Sequence, residues 1–400
     1  MNTFLKLGAA GLVAASAWSS TALAGEIRIG ITMRMISENG QKYGEMMADE
    51  FDAVNAAGGI NGHTISYTLL NDECKSDKGV ANANKFVYEQ KVHLVIGSTC
   101  SSVSLPIVDV TAKAETPQII PHSTNHAITQ KGSAWVFRVP ISARFYKGVV
   151  AKYVGEQIGT KIGYVYASDA AAVSDAEGLQ AQMKELYGVE PVYSAQVQEK
   201  EIDFRSHMLK LKALKPDALF IAALQEPMAR ALVQSYEVGI PESTPRVANS
   251  VASNAPVPAM AGDAIKGVFY TAAYSDSDER PIAQEFNAMV REKYGIAKVD
   301  HDFSQAWDLV QIVKQALGTA DLTLTDDSLA ADRTAIRDAI AGVKNYEGLA
   351  SGPISFCADP TPQCRDGNRT VVLIGYTKGG EDFEVGILDR VTMPIDFGLE

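Results

Sequence analysis

The chain has 400 residues, 46% hydrophobic and 21% charged, a composition that builds ordinary cores and excludes a disordered chain. Its formal charge of −12 argues against nucleic acid or an anionic membrane surface as a partner. Beyond the first thirty residues no stretch approaches the ~18 uninterrupted apolar residues that a membrane span requires.

Residues 1–24 read as an export signal. Lys6 precedes the small, apolar run Leu7–Trp18, and Ala22-x-Ala24 has the small-x-small form that signal peptidase cuts. Cleavage after Ala24 removes 24 of the 400 residues and leaves an exported chain of 376, about two domains at ~150 residues each.

A strand is predicted over Ile27–Ile31, then a helix over Gln41–Asn55 with Tyr43, Met47, Phe51 and Val54 on one face. Gly58-Gly59 stops that helix, and Asn61-Gly62 turns into the strand Thr64–Leu70. Lys78–Gln90 reads as helix, Val92–Gly97 as an apolar strand and Ser101–Ala114 as helix, with Pro106 in its first turns. Strands Gln118–Ile120 and Val136–Val139 follow. The same alternation restarts with helix Arg144–Ile158, strand Ile162–Tyr166, helix Asp175–Leu186, strand Val192–Ser194, helix Asp203–Leu214 and strand Ala218–Ala223. Helix Glu226–Val238 and strands Arg246–Ala248 and Gly267–Thr271 close the second series. Helices Pro281–Tyr294, Phe303–Leu317 and Asp327–Val343, a turn-rich segment and strand Thr370–Tyr376 complete the chain. Repeated βα units force parallel sheets covered by helices, so two such runs predict an α/β protein of two doubly wound lobes.

Four cysteines, Cys74, Cys100, Cys357 and Cys364, allow three pairings. Composition cannot choose among them. Proximity favours Cys74–Cys100 and Cys357–Cys364, with loop-closure stabilisation of roughly 3.5 and about 2.5 kcal/mol. No cysteine pair has CxxC spacing and no histidine lies within three residues of one, so no metal site is expected. No cofactor is expected either, since HExxH, GxxxxGK[ST] and a strand-borne GxGxxG are all missing.

Ligands of open parallel sheets sit beyond the carboxyl ends of the strands, at helix N-termini. Gly97-Ser-Thr-Cys-Ser-Ser102 lies at such a junction. There Ser101 and Ser102 can cap a helix while offering hydroxyls and N–H groups to a carboxylate. Pro121-His-Ser-Thr-Asn125 is a second dense set of donors, and the loop Thr32–Gly40 with Arg34, Glu38 and Asn39 is a third. Cys100 also sits between a strand and a helix, as a thiol nucleophile would, but the G-x-C-x-G and G-x-S-x-G patterns are absent. His122 is expected to hydrogen-bond rather than to transfer protons, because no partner carboxylate lies near it in the sequence.

The segments DEFDAVNAAGGINGH, LLNDECKSDKGVANANKFV, VHLVIGSTCSSVS and TPQIIPHSTN resemble the type I periplasmic binding proteins. The similarity is to the leucine/isoleucine/valine receptor branch of ABC transporters and runs over the whole mature chain. It implies two Rossmann-like lobes joined by a three-crossover hinge, with crossovers near Val139–Ser142, Tyr270–Tyr274 and Ser351–Asn368. The N-terminal lobe would be 25–140 plus 273–355 and the C-terminal lobe 141–272 plus 356–400. It also implies a Cys74–Cys100 disulfide and a ligand carboxylate held by Ser101 and by His122, Ser123 and Thr124.

The remaining pocket positions of that family fall on other residue types: Asn39 for a tyrosine, Asp175 for an aromatic, Leu224–Gln225 for another, and Ser250 for the glutamate that takes the ligand ammonium. Losing that glutamate removes a charge-assisted hydrogen bond of about 1.5–3 kcal/mol. A carboxylate without an amine therefore fits Arg34, His122 and the Ser/Thr donors better, although Asp175 offers an amine a partner. The resemblance implies a monomeric periplasmic receptor with a small-molecule ligand and an ABC membrane permease as partners and no covalent chemistry. A sensory receptor of the same fold and an exported thiol hydrolase using Cys100 are the alternatives.

Overall fold

The computed structural model describes residues 25–254, 256–350 and 352–394. The export signal expected over 1–24 and its cleavage site lie outside them. Each half of the chain builds one sheet. The first half runs β1 (Glu26–Met33), α1 (Glu38–Ala56), β2 (Thr64–Asn71), α2 (Ser76–Asn84), β3 (Leu94–Ile96), α3 (Ser101–Lys113), β4 (Gln118–Ile120), α4 (Ala127–Gln130) and β5 (Val136–Arg138). All five strands are parallel, in the order β2-β1-β3-β4-β5.

The second half opens with α5 (Ala143–Gln157), β6 (Ile162–Ala167), α6 (Ala170–Tyr187), β7 (Tyr193–Val197), α7 (Arg205–Leu214), β8 (Ala218–Ala222) and α8 (Gln225–Glu237). It continues with β9 (Arg246–Ala248), α9 (Pro256–Ala261), β10 (Val268–Ala272), α10 (Pro281–Tyr294), α11 (His301–Thr319), α12 (Leu329–Ala341), α13 (Pro362–Arg365), β11 (Thr370–Lys378) and β12 (Glu384–Thr392). The second sheet has the order β12-β11-β10-β9-β8-β6-β7, parallel except where β11 runs against both β10 and β12.

The cores follow the sheets rather than the chain. Tyr43, Met47 and Phe51 of α1 are buried as their spacing predicts, and Val54 packs partly buried beside them. Burying each large side chain stabilises the lobe by about 1.5–3 kcal/mol. The same cluster takes in Phe286 and Val290 of α10, Phe303 and Leu309 of α11 and Ile336 of α12, so the chain returns to the first sheet after β10. Arg333 of α12 fixes this return by donating to the carbonyls of Val92, Ala114 and Val87 at 2.9, 3.1 and 3.3 Å. The second cluster draws on Val150–Ala272 and on Val372–Phe383.

Where the chain passes between the sheets, a smaller apolar cluster joins Ile141, Phe145, Ala273, Val371 and Met393. Beside it Asp366 accepts from Arg138 Nε at 2.9 Å and Nη2 at 2.6 Å, with Arg144 Nη2 at 3.6 Å from its other oxygen. The Gly367 N–H donates to the Arg138 carbonyl at 2.9 Å, so two of the connections are zipped together. The loop leading into Asp366 is closed by a Cys357–Cys364 disulfide, and Cys74 is bonded to Cys100.

Several boundaries differ from the sequence reading. Helix α6 starts at Ala170 rather than Asp175, because Asp169 caps it by accepting from the N–H groups of Ala171 and Ala172. The helix expected to run to Gln90 ends its α-helical part at Asn84 and continues as a π-turn over Lys85–Glu89. Strand β12 was not expected. It is a half-exposed edge strand without clean alternation.

Candidate ligand site

The site starts from the way β3 turns into α3. Gly97 sits at φ 138°, and a Cβ there would lie 2.2 Å from the Thr32 carbonyl oxygen, so only glycine lets this turn pass against β1. Ser98 Oγ then donates to Asp72 Oδ2 at 2.7 Å, while Asp72 Oδ1 accepts the Cys74 N–H at 2.8 Å. One buried carboxylate thus organises both ends of the Cys74–Cys100 bond, and Cys100 has no thiol to offer as a nucleophile. Ser101 and Ser102 open α3, where the N–H groups precede the first intrahelical bond and the helix dipole favours an anion. Ser101 Oγ accepts the Asn125 N–H at 3.3 Å, which leaves the hydroxyl proton to be donated into the cleft.

The loop after β4 brings His122, Ser123 and Thr124 beside these serines. His122 Nε2 donates to the Asp302 carbonyl at 2.7 Å, so in the neutral ring Nδ1 is an acceptor, and Nδ1 meets no protein partner among the described residues. Ser123 is different. Its hydroxyl donates to the Ser98 carbonyl at 3.0 Å and meets Ser104 Oγ at 2.7 Å, so it holds the loop instead of reaching a solute.

Arg34 follows β1. Its N–H donates to Thr99 Oγ1 at 3.0 Å, and its carbonyl accepts from the Tyr43 hydroxyl at 3.0 Å. Burial, reinforced by the charge of Asp302, raises the Tyr43 phenol well above its usual range. Its ring stands edge-on to His122, at 5.2 Å between centroids.

From the first turn of α11 come His301 and Asp302, capped by Asp300, which accepts the Asp302 N–H at 3.1 Å. Burial and then the charge of Asp302 push Asp300 up to about 8. Burial works on Asp302 in the same direction, but His122, His301 and Arg34 outweigh it and hold this carboxyl below its ordinary value. Asp302 is 21% exposed toward the cleft and lies 3.2 Å from His301 Nε2 and 3.9 Å from His122 Nε2.

The second lobe supplies the opposite wall through the starts of α6 and α8 and the 3-10 turn Ser250–Ser253. Between the walls lies a cavity of about 130 Å³, which opens into an outer recess of about 480 Å³. Of the residues singled out in the sequence, Arg34, Ser101, Ser102, His122, Ser123, Thr124, Asp175 and Ser250 border the inner cavity. Asn39 and Gln225 do not. Both border the outer recess, where Asn39 donates to Asp300 at 3.2 Å and Gln225 accepts from Arg34 at 3.3 Å.

Asp175 is present but its charge is already met, since Lys147 Nζ lies 2.7 Å away and both side chains are buried. Sequence reasoning missed Tyr43 as a wall and missed Asp302 and His301 altogether. The only available signal was Asp300-His-Asp302 ahead of an apolar helix, a capping pattern with nothing to link it to β3 or β4.

A family model described as "Periplasmic binding protein" matches residues 27–365. The chain belongs to the periplasmic binding protein family. A Pseudomonas aeruginosa "Amino acid binding protein" is 29% identical over 203 residues, 50% of this chain and 54% of that protein. The leucine-, isoleucine-, valine-, threonine- and alanine-binding protein of the same organism is 26% identical over 268 residues, 64% of this chain and 68% of its own. The match thus spans about half of the first relative and about two thirds of the second.

Among solved structures, the branched-chain amino acid transporter substrate-binding protein LivJ of Streptococcus pneumoniae, bound to isoleucine, superposes at a TM-score of 0.76. It is 22% identical and covers 91% of this chain and 99% of its own. A Rhodopseudomonas palustris solute-binding protein bound to 4-hydroxybenzoate reaches 0.79 at 17% identity, covering 94% and 99%. At these identities the likeness establishes the two-lobed fold. Among the described residues, no helix is long and apolar enough to cross a membrane.

Proposed function

We propose that this receptor captures a compact, polar, amino acid-like solute in the periplasm, by closure of its lobes, and delivers it to an ABC permease without covalent chemistry. The lobes are 25–140 with 273–355, and 141–272 with the strands over 370–392; residues 356–366, expected in the second lobe, pack on the first, where Phe356 meets Phe137 and Asp366 pairs with Arg138. The observation that carries the reading is the pairing, in one small cavity, of anion donors on α3 with an ionised carboxylate on α11. The N–H groups and hydroxyls of Ser101 and Ser102, with Thr124, take the solute carboxylate. Asp302 takes an amine, the role that the sequence reading found missing at Ser250 and that Asp175, paired with Lys147, does not fill. Apolar lining is thin, with Leu224 and Val251 the bulkiest aliphatic groups, so a large hydrocarbon side chain finds little surface to bury against.

The test is thermal shift on the mature protein with L-threonine, L-alanine, L-leucine, benzoate and 4-hydroxybenzoate. A solute at a hundred times its dissociation constant adds roughly 2.7 kcal/mol, a visible rise in melting temperature. Threonine or alanine should give the rise, Ser101→Ala and Thr124→Ala should reduce it, and Asp302→Asn should abolish it for amines. A rise confined to benzoates would overturn the amine assignment.

A further inference from the structure

The stretch Ala167-Ser-Asp-Ala-Ala-Ala-Val-Ser-Asp175 stands out in the sequence for its run of small residues, and capping explains only its start. In the structure Ala170–Ala172 and Ser174 lie in the first turns of α6, and these turns face the loop after β4 on the other lobe. Two consecutive residues of that loop cross the gap. Asn125 Nδ2 donates to the Ala170 carbonyl at 2.9 Å, and His126 Nδ1 is 2.9 Å from Ser174 Oγ. Ala170 and Ser174 are four residues apart, hence on one face of the helix.

Every polar group of Asn125 is engaged. Besides the cross-lobe bond, its Oδ1 accepts the Ala127 N–H at 2.9 Å, its N–H donates to Ser101 Oγ at 3.3 Å, and its carbonyl accepts from Arg138 Nη1 at 2.6 Å. Arg138 in turn is held by Asp366, which follows the loop stapled by Cys357–Cys364. Further cross-lobe bonds run from Arg34 to Gln225, from His301 to Ser253 and from Arg390 to Asp278, none of them from a residue that also touches both Ser101 and Arg138.

We infer that Asn125 and His126 form the latch that holds the lobes together, and that Asn125 is the positioning residue coupling it to the ligand-facing Ser101 and to the Arg138–Asp366 hinge. The inference rests on the cleft being the solute site. A solute that engages the Ser101 hydroxyl fixes the serine on which Asn125 rests, and so fixes the latch. The open form admits the solute and the latch holds the closed form, with or without solute, so its loss should speed release and leave the association step little changed.

The test is stopped-flow binding of L-threonine to the wild type and to Asn125→Ala, His126→Ala, Ser174→Ala and the His126→Ala/Ser174→Ala pair. Each single change should raise the dissociation rate about three- to tenfold with an unchanged association rate, because a hydrogen bond contributes roughly 1 kcal/mol. The pair should be no worse than either single change, and His126→Asn, which keeps a polar atom near Nδ1, should restore slow release. An unchanged dissociation rate, or a pair equal to the product of its singles, would overturn the latch. If the wild type binds no threonine, the solute reading has failed instead, and the latch is read from small-angle scattering without added solute. There the Asn125→Ala/Ser174→Ala protein should have the larger radius of gyration, and superimposable curves would overturn the inference.

Discussion

Replacing Asp366 by Asn changes one oxygen to an amide at the junction of the lobes. The carboxylate is 1% exposed and the Arg138 guanidinium is fully buried, with two donor distances of 2.9 and 2.6 Å. At an effective dielectric of about 20, the Coulomb attraction at that range is on the order of 6 kcal/mol. The Asn side chain keeps a neutral hydrogen bond of about 1 kcal/mol. Measured losses of one partner in a buried pair run at about 3–5 kcal/mol, against about 0–1 for a surface pair. We therefore expect a loss of about 3 kcal/mol. With a urea slope of about 3 kcal/mol per M, as for large domains, the denaturation midpoint followed by circular dichroism should fall by about 1 M. Asp359→Asn, on the exposed part of the same loop, is the control and should shift it by less than about 0.2 M. The double change Arg138→Met/Asp366→Leu should recover much of the loss, because a well-packed apolar pair replaces the ion pair without leaving a lone charge. If Asp366→Asn behaved like Asp359→Asn, the reasoning about the hinge would be wrong.

Two further outcomes are expected. His93 is buried and its Nδ1 accepts the Arg28 N–H at 2.9 Å; burial, then the charge of Arg28, pushes the ring down to about 4. Between about pH 6.5 and 4 the unfolded state binds the extra proton, so stability falls as pH falls through that window, by about 3 kcal/mol in all. His93→Asn keeps the acceptor and removes the titration, so its stability-versus-pH slope over this range should flatten; an unchanged slope would count against His93. Gly58 and Gly59, which end α1, should separate sharply on substitution by Ala. Both have positive φ, 100° and 80°, but a Cβ on Gly58 meets nothing within 4 Å while one on Gly59 lies 2.1 Å from the His63 carbonyl oxygen. Gly58→Ala should cost about 1–2 kcal/mol by thermal denaturation and Gly59→Ala several, and equal losses would show that strain alone decides both.

Much of the fold was legible because its signals are local. The apolar runs of β3 and β8, the one-sided face of α1 and the Gly58-Gly59 stop all act within one element. The same holds for Ser101, Ser102 and Thr124 of the proposed solute site, since they sit where strands end and the next segment begins, a placement set by the neighbouring residues alone. Boundaries failed where capping competed with periodicity, as at Asp169, and β12 failed because a half-exposed edge strand needs no alternation.

What sequence by itself determined here is most of the order of strands and helices, the pairing of close cysteines and which strand ends border the cleft, all fixed by residues within about thirty positions of one another. Only the tertiary structure decided the rest. It set Asp302 beside His122 across 180 positions, gave Asp175 a buried Lys147, and laid Asn125 between Ser101, Ala170 and Arg138. The charge state and availability of each group depend on neighbours that sequence spacing does not encode, because burial and charge act through space and not along the chain.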